Sequence, residues 1–318
     1  MVDVAHAAVS RSDVLRLGII GSSEGNGHPY SWSAIFNGYD PAAMAACPYP
    51  VIPEYLGRQQ FPEAQLAGAR VTHIWTPDAV QSTHIAAASR IDTIVRSPSD
   101  MLGEVDAVLL ARDDADHHES LATPFLEAGL PIYIDKPIAL DREQLDRLFA
   151  LTSCDAQIFS CSALRYAKEL MPTADELERI GSISHVFGVT PQSWNRYSAH
   201  VIDPMLQILT QTGDPRTSAI ERGAMTAVSA AWPDGPSVTA VSTGKSSGDI
   251  ALTIVGQRGT VLKTFRDSFS AFKRALEMFV EGVRNRTTDS SYDRLSRLVT
   301  LIEAGARVAG GPAAIVSR

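Results

Sequence analysis

The chain has 318 residues, enough for two ordinary α/β domains with separate cores, and its 45% hydrophobic and 20% charged residues exclude a disordered or fibrous chain. A net charge of -8 with no run of Lys or Arg excludes a nucleic-acid partner, and no window approaches the roughly 20 continuous apolar residues of a membrane span. The three cysteines, Cys47, Cys154 and Cys161, lack metal-type spacing and read as buried, reduced thiols; with no secretory leader pattern, the expected location is the cytoplasm.

Residues 1–13 carry no periodic pattern and read as a mobile leader. Leu15 to Ile20 is a short apolar run of the kind that forms a buried parallel strand, and similar runs follow at Val71 to Trp75, Thr93 to Val95, Asp106 to Ala111 and Pro131 to Ile134. Helical stretches lie between them, at Ala79 to Ser89 and at His118 to Ala128 with Gly129 as C-cap. Alternating strand and helix predict a Rossmann-type, doubly wound parallel sheet over residues 1–152, the α/β half of the chain. A helix from Asp141 to Leu151 leads into a different texture. Strands at Gln157 to Ser162, Ser182 to Thr190, Met225 to Trp232, Ser237 to Thr243 and Asp249 to Val255 predict a large open, mostly antiparallel sheet, with Gly256 to Gly259 turning into Thr260 to Phe265. Two amphipathic helices close this α+β domain, 153–318, presenting Phe269, Phe272, Leu276, Phe279, Val280 and Val283 on one face and Leu295, Leu298, Val299 and Ile302 on another.

The first strand runs into a glycine-rich turn, Gly18 to His28, where a dinucleotide pyrophosphate would meet a helix N-terminus. Gly21, Ser22, Ser23, Gly25 and Gly27 are the candidate contacts. The usual G-x-G-x-x-G is imperfect, because its second and third glycines fall on Ser23 and Asn26, and a strand-to-helix turn that binds nothing is the competing reading. A ribose-binding acid is expected about 20 positions further on. Here an insertion at about 39–68 intervenes and the second strand ends at Thr76, with Asp78 the nearest acid, so both NAD and NADP remain candidate cofactors. Insertions of this size serve as lids, pocket walls or oligomer contacts. The segment after the turn, His28 to Ser33, is polar and aromatic and placed to reach nicotinamide or substrate; the competing reading makes Ser31 a helix cap and Trp32 a core anchor.

The residues from Val105 to Leu140 end in Ile134 Asp135 Lys136 Pro137, and this stretch resembles the Gfo/Idh/MocA family, whose fifth strand ends in Glu-Lys-Pro. A lysine at the carboxyl end of a parallel strand projects into the ligand crevice, where its ammonium can stabilise an alkoxide as hydride leaves carbon. Asp135 would fix that lysine. The resemblance implies a cis bond at Pro137 and a cofactor-side role for His118. Ala163 Leu164 Arg165 Tyr166 is similar to the family's opening of the substrate domain, and Tyr197 to Asp203 resembles its H-x-x-D helix, whose histidine is the usual proton acceptor.

Lys136, His200 and Asp203 are therefore the candidate catalytic residues, with Asp203 sharing a helix face with His200 and orienting it. Arg165, Tyr166, Arg196 and Tyr197 are candidate substrate contacts. Arg196 stands where the family often carries an aspartate; a cation there would lower the histidine pKa and bind an anionic or acidic sugar. The adjacent His117 and His118 lack a third ligand at useful spacing, and no metal is expected.

These features predict reversible hydride transfer between NAD(P) and a secondary alcohol of a sugar, inositol or similar polyol. The alternatives are an NAD-using glycosidase of the same fold and a non-catalytic sugar- or nucleotide-binding protein. A homodimer or homotetramer is expected through the open sheet face.

Overall fold

The computed structural model describes residues 14–209, 213–246 and 248–309 and the backbone of 316–317; the expected leader at 1–13 lies outside the described residues. Strands β1 (Leu15–Ile20), β2 (Ala69–Trp75), β3 (Thr93–Ile94), β4 (Ala107–Leu110), β5 (Ile132–Ile134) and β6 (Ile158–Phe159) form one parallel sheet in the order β3-β2-β1-β4-β5-β6. β4 and β5 are buried at every position, as continuous apolar runs in a sheet covered on both faces must be. The order reverses between β1 and β4, so the carboxyl ends of these strands open a crevice there. β6 takes up part of the run 157–162, which was expected in the second sheet. Two paired residues of β6 complete the first sheet instead.

Helices α1 (His28–Asn37), α2 (Pro41–Met44), α3 (Val51–Gly57), α4 (Ala79–Ala88), α5 (His118–Glu127) and α6 (Arg142–Ala150) belong to this half. Short polar side chains set several of their starts: Asp40 accepts from Ala43 N, Asp78 from Val80 N and Asp141 from Gln144 N. Each such cap is worth about 1 kcal/mol. Ser31 lies inside α1, where its hydroxyl bonds the His28 carbonyl, so it caps nothing.

The second sheet runs β12-β11-β7-β10-β9-β8-β13, built from β7 (Ile183–Thr190), β8 (Arg216–Arg222), β9 (Met225–Ala231), β10 (Ser237–Ser242), β11 (Ala251–Gly256), β12 (Gly259–Thr264) and β13 (Val316–Ser317). Only β7 and β10 pair in parallel. Its inward residues, such as Val228, Ala230, Val238 and Ala240, are buried under helices α9 (Ala199–Ile208) and α11 (Tyr292–Ala306). On its other face Phe187, Met225 and Leu262 are exposed. Two short helices, α7 (Ala174–Ile180) and α8 (Trp194–Tyr197), precede α9, and α10 (Ser268–Asn285) precedes α11. α7 opens with a capping box in which Thr173 and Glu176 each satisfy the other's backbone N–H.

The two sheets share a continuous aromatic core. Trp32 of α1 stacks on Tyr133 of β5 at 4.7 Å, and Tyr133 meets Phe159 of β6 edge-on at 4.7 Å and Phe279 of α10 at 5.7 Å. Trp32 is thus the core anchor its sequence context suggested. The insertion at 39–68 straps this junction from outside, with Phe61 edge-on to Phe269 of α10 at 6.2 Å and Lys273 donating to the Ala64 carbonyl at 2.8 Å. Among the cysteines Cys47 and Cys161 are buried, but Cys154 is exposed on the turn before β6, contrary to its expected burial. None of the helices among the described residues is long and apolar enough to cross a membrane.

Candidate active site

The crevice beyond β1, β4 and β5 is faced by α8 and the start of α9, and charged groups meet across it. Lys136 follows β5 through Asp135 and is only 4% exposed. Its ammonium is 3.4 Å from Asp113 Oδ2 and 3.4 Å from the Arg196 carbonyl, and it lies 5.6 Å from the centroid of the Tyr197 ring. Asp113, just beyond β4, also accepts from Arg196 Nη2 at 2.8 Å and from Ser23 Oγ at 2.6 Å. Burial works to raise the Asp113 pKa, but Lys136, the Ser23 hydroxyl and Arg196 together outweigh it and hold the carboxyl well below the usual carboxylate range. Asp113 was not among the expected site residues. The only sequence signal for it was a polar Arg-Asp-Asp run at the carboxyl end of a buried parallel strand.

Asp135, expected to fix the lysine, holds something else. Its Oδ1 accepts the Lys136 backbone N–H at 2.7 Å, while Oδ2 accepts from Asn26 Nδ2 at 3.0 Å and pairs with His28 Nδ1 at 2.5 Å. The side chain points back to the glycine turn, so the ammonium is left to Asp113. The Lys136–Pro137 peptide is cis, as the resemblance implied.

On α9, His200 is 8% exposed and its Nδ1 lies 2.9 Å from Ser162 Oγ; Tyr197 packs against it edge-on at 5.2 Å. Burial pushes this imidazole well below its ordinary pKa; the Lys136 ammonium and His28 add to the shift, and Asp113 opposes it. Arg196 points to Asp113 and the Glu24 carbonyl rather than to the imidazole, so the cation that lowers His200 is Lys136.

Asp203 does not touch His200. Its Oδ2 accepts the Ser162 N–H at 2.9 Å, and its Oδ1 takes Arg294 at 2.9 Å and Arg165 at 3.3 Å. Asp203 therefore acts on the histidine only through the backbone that carries Ser162. Arg165 and Tyr166, expected to meet substrate, belong to this buried network: Arg165 also lies 3.5 Å from Asp289, to which the Tyr166 hydroxyl donates.

A buried neutral imidazole has a consequence for stability. Between its lowered value in the fold and about 6.5 in the unfolded chain, only the unfolded chain binds the His200 proton, so acidification favours unfolding. Urea unfolding followed from pH 7 to pH 5 should therefore show falling stability. His200→Gln should flatten that slope by up to about 1.4 kcal/mol per pH unit, leaving the smaller contributions of His73 and His185, whose pKa values burial also lowers. An unchanged slope in the variant would contradict this assignment.

The glycine turn is packed differently from an ordinary phosphate loop. A Cβ on Gly27 would come within 2.4 Å of Ile52 and 2.6 Å of Tyr49, so this glycine admits the insertion. The first turn of α1 offers no free donor: His28 N–H goes to Asn26 Oδ1 at 2.7 Å, Pro29 has none, and Tyr30 and Ser31 bond the Gly27 carbonyl. In contrast, the N–H groups of Ser22, Ser23, Glu24 and Gly25 donate to no protein group among the described residues, and the Arg196 guanidinium bonds the Glu24 carbonyl. Consecutive free amides beside a guanidinium fit the diphosphate of a dinucleotide, with the turn itself taking the place of the helix end. Gly25, at φ +76°, gives the turn its left-handed step.

The ribose side is less specific. The Thr76 hydroxyl bonds the Asp78 carbonyl at 2.6 Å and Ser82 Oγ at 2.9 Å, while the exposed Asp78 caps α4 through Oδ1 alone. His118 is fully buried with Nδ1 3.0 Å from the Ile138 carbonyl and Nε2 2.8 Å from the Arg112 carbonyl, so both ring nitrogens are engaged in stapling the β4 loop to the segment after Pro137. His117 turns the other way, 3.0 Å from Asp114.

Comparison with known proteins finds a family match over part of the chain. Residues 54–161 match Gfo/Idh/MocA, an oxidoreductase family with an NAD-binding Rossmann fold. A stretch of 88 residues is 35% identical to inositol 2-dehydrogenase 1 of Saccharopolyspora erythraea, covering 27% of this chain and 26% of that protein. The match thus spans about a quarter of the curated relative. Two solved structures share the fold over nearly the whole chain. Myo-inositol 2-dehydrogenase from Lactobacillus plantarum superposes with TM-score 0.67 at 16% identity, covering 96% of this chain and 99% of that one. Myo-inositol dehydrogenase from Lactobacillus casei, in complex with NAD(H) and myo-inositol, gives 0.67 at 13% identity, covering 95% and 97%.

Proposed function

We propose that the chain, whose residues 54–161 belong to the Gfo/Idh/MocA oxidoreductase family, interconverts a secondary alcohol and a ketone of a polyol or sugar with NAD or NADP. The observation that carries this reading is the meeting of a buried ammonium, Lys136, and a neutral imidazole, His200, at the carboxyl ends of the parallel strands, opposite a turn with free amides. Ser22 to Gly25 and Arg196 would hold the diphosphate, and the nicotinamide, when bound, supplies the hydride acceptor.

The chain's own groups handle the oxygen. Lys136 donates to the substrate hydroxyl and stabilises the alkoxide as it forms. With Nδ1–H donating to Ser162 Oγ, His200 presents the Nε2 lone pair and takes the hydroxyl proton. The ring of Tyr197 lies beside both groups and keeps water from the ammonium. Asp203, through the Ser162 backbone, is a positioning residue.

The myo-inositol in the Lactobacillus casei structure supports a polyol substrate. The Arg196 guanidinium is held at the glycine turn by the Glu24 carbonyl and Asp113, which suits it to the cofactor side of the crevice rather than to selecting an acidic sugar. The apolar outer face of the second sheet, with Phe187 and Leu262 exposed, suits a second copy of the chain.

A panel of inositols and sugars, followed through nicotinamide absorbance with NAD and with NADP, tests the reading. Turnover of at least one polyol is the expected outcome; no absorbance change with any of them would refute an oxidoreductase.

A further inference from the structure

Two cations share one carboxylate in the crevice. Asp113 Oδ1 accepts from Arg196 Nη2 at 2.8 Å and from Ser23 Oγ at 2.6 Å, while Oδ2 lies 3.4 Å from the Lys136 ammonium. The first two are good hydrogen bonds; the third is at the outer edge of one. Among the described residues the ammonium has one other hydrogen-bond acceptor, the Arg196 carbonyl, also at 3.4 Å. Lys136 is therefore buried but loosely held, and the carboxylate beside it is engaged by the guanidinium.

The backbone under Asp113 is fixed. Its N–H donates to Ser23 Oγ at 3.2 Å, and the carbonyl of the residue before it, Arg112, lies 2.8 Å from His118 Nε2. The Arg112 guanidinium donates to Asp114 and does not compete. Arg196 is the movable partner: its side chain keeps 35% of its surface exposed, against 7% for Asp113. It uses Nη2 alone for both the Glu24 carbonyl and Asp113, and among the described residues Nε and Nη1 bond no protein group. Nη1 lies 3.6 Å from where a Cβ on Gly25 would stand, beside the free amides of Ser22 to Gly25.

We propose that Asp113 is a positioning residue with two partners in turn: it holds Arg196 over the glycine turn in the ligand-free protein, and it closes on Lys136 when a dinucleotide diphosphate takes the guanidinium. The inference rests on the oxidoreductase reading. A diphosphate on the open amides offers Arg196 charge-assisted hydrogen bonds that replace the one to Asp113. The carboxylate then serves the ammonium alone and fixes its direction toward the reacting oxygen. Lys136 is set for chemistry only once the cofactor is in place. No covalent bond changes and no proton moves in this exchange.

The test uses full-length wild type, Asp113→Asn, Arg196→Ala and the double variant, each titrated calorimetrically with NAD and NADP. Asp113→Asn should bind the dinucleotide about three- to tenfold tighter, because Arg196 no longer has to leave a carboxylate first. Most of that tightening should vanish in the Arg196→Ala background. With the polyol that the panel identifies, hydride transfer in a single turnover should nevertheless slow about tenfold or more in Asp113→Asn, because the ammonium has lost its direction. A merely structural role for Asp113 would weaken binding and slow transfer together. A crystal structure of wild type with bound dinucleotide needs no variant to fold: Arg196 should sit on the diphosphate, out of hydrogen-bond reach of Asp113, with Asp113 within about 3 Å of Lys136. Arg196 still on Asp113 in that structure, no tightening in Asp113→Asn, tightening that survives in full in Arg196→Ala, or undiminished hydride transfer overturns the exchange and leaves the oxidoreductase reading intact. Wild type that binds neither dinucleotide, or turns over no polyol, overturns that reading and the exchange with it.

Discussion

Lys136→Met should lower kcat on the best polyol by about 10²- to 10³-fold, the usual effect of removing one donor from a developing oxyanion. The substitution keeps the length and burial of the side chain but takes away the ammonium that faces the crevice 3.4 Å from Asp113. KM should change far less, because the interaction strengthens only as negative charge grows on the oxygen. Asp113 keeps Arg196 and Ser23 as partners, so the variant should stay folded, and circular dichroism with a thermal melt checks this. Steady-state kinetics showing a raised KM with an unchanged kcat would assign Lys136 to ground-state binding instead.

The second large effect falls on stability. Asp203→Ala should destabilise the fold by about 3–5 kcal/mol, because it leaves two buried guanidinium groups without their shared carboxylate. Arg294 and Arg165 both point at Asp203 Oδ1, and the Ser162 N–H loses its acceptor at Oδ2. Urea denaturation measures the loss. If Asp203 were instead the direct partner of His200, its replacement would reduce turnover while leaving the unfolding midpoint in place.

Asp203 also shows why spacing alone misleads. Residues 200 and 203 do share a helix face, as the sequence implies, but α11 delivers Arg294 to that face, and a guanidinium outcompetes an imidazole that burial keeps neutral. The arrival of a residue 91 positions away has no trace in the H-x-x-D pattern. Asp135 gives the same lesson. Next to Lys136 in sequence, it is turned by the strand's exit toward the glycine turn, and the carboxylate that meets the ammonium comes from β4.

What was legible follows from local chemistry. Helices α4, α5 and α6 begin and end within a residue or two of expectation, because Asp78 and Asp141 cap two of them and Gly129, at φ +76°, follows the third. The buried strands of the first sheet announce themselves as continuous apolar runs. By contrast β8, reading RTSAIER, places only Ala219 in the core and so leaves no alternating apolar signal. Gln157 to Ser162 reads as a strand either way, and which sheet it joins depends on β5 standing beside it. In the turn, Ser23 stands at the second glycine of the motif; its side chain reaches Asp113, and the amides of Ser22 to Gly25 remain open among the described residues.

The function proposed for the chain requires that this rewritten turn, with Arg196, hold a nicotinamide dinucleotide. Calorimetric titration of NAD and of NADP into the ligand-free protein tests it most directly. One-site saturable binding of at least one of them is predicted, weakened about tenfold or more in Arg196→Ala, as expected for a lost charge-assisted hydrogen bond. No heat at millimolar concentration of either dinucleotide would contradict it.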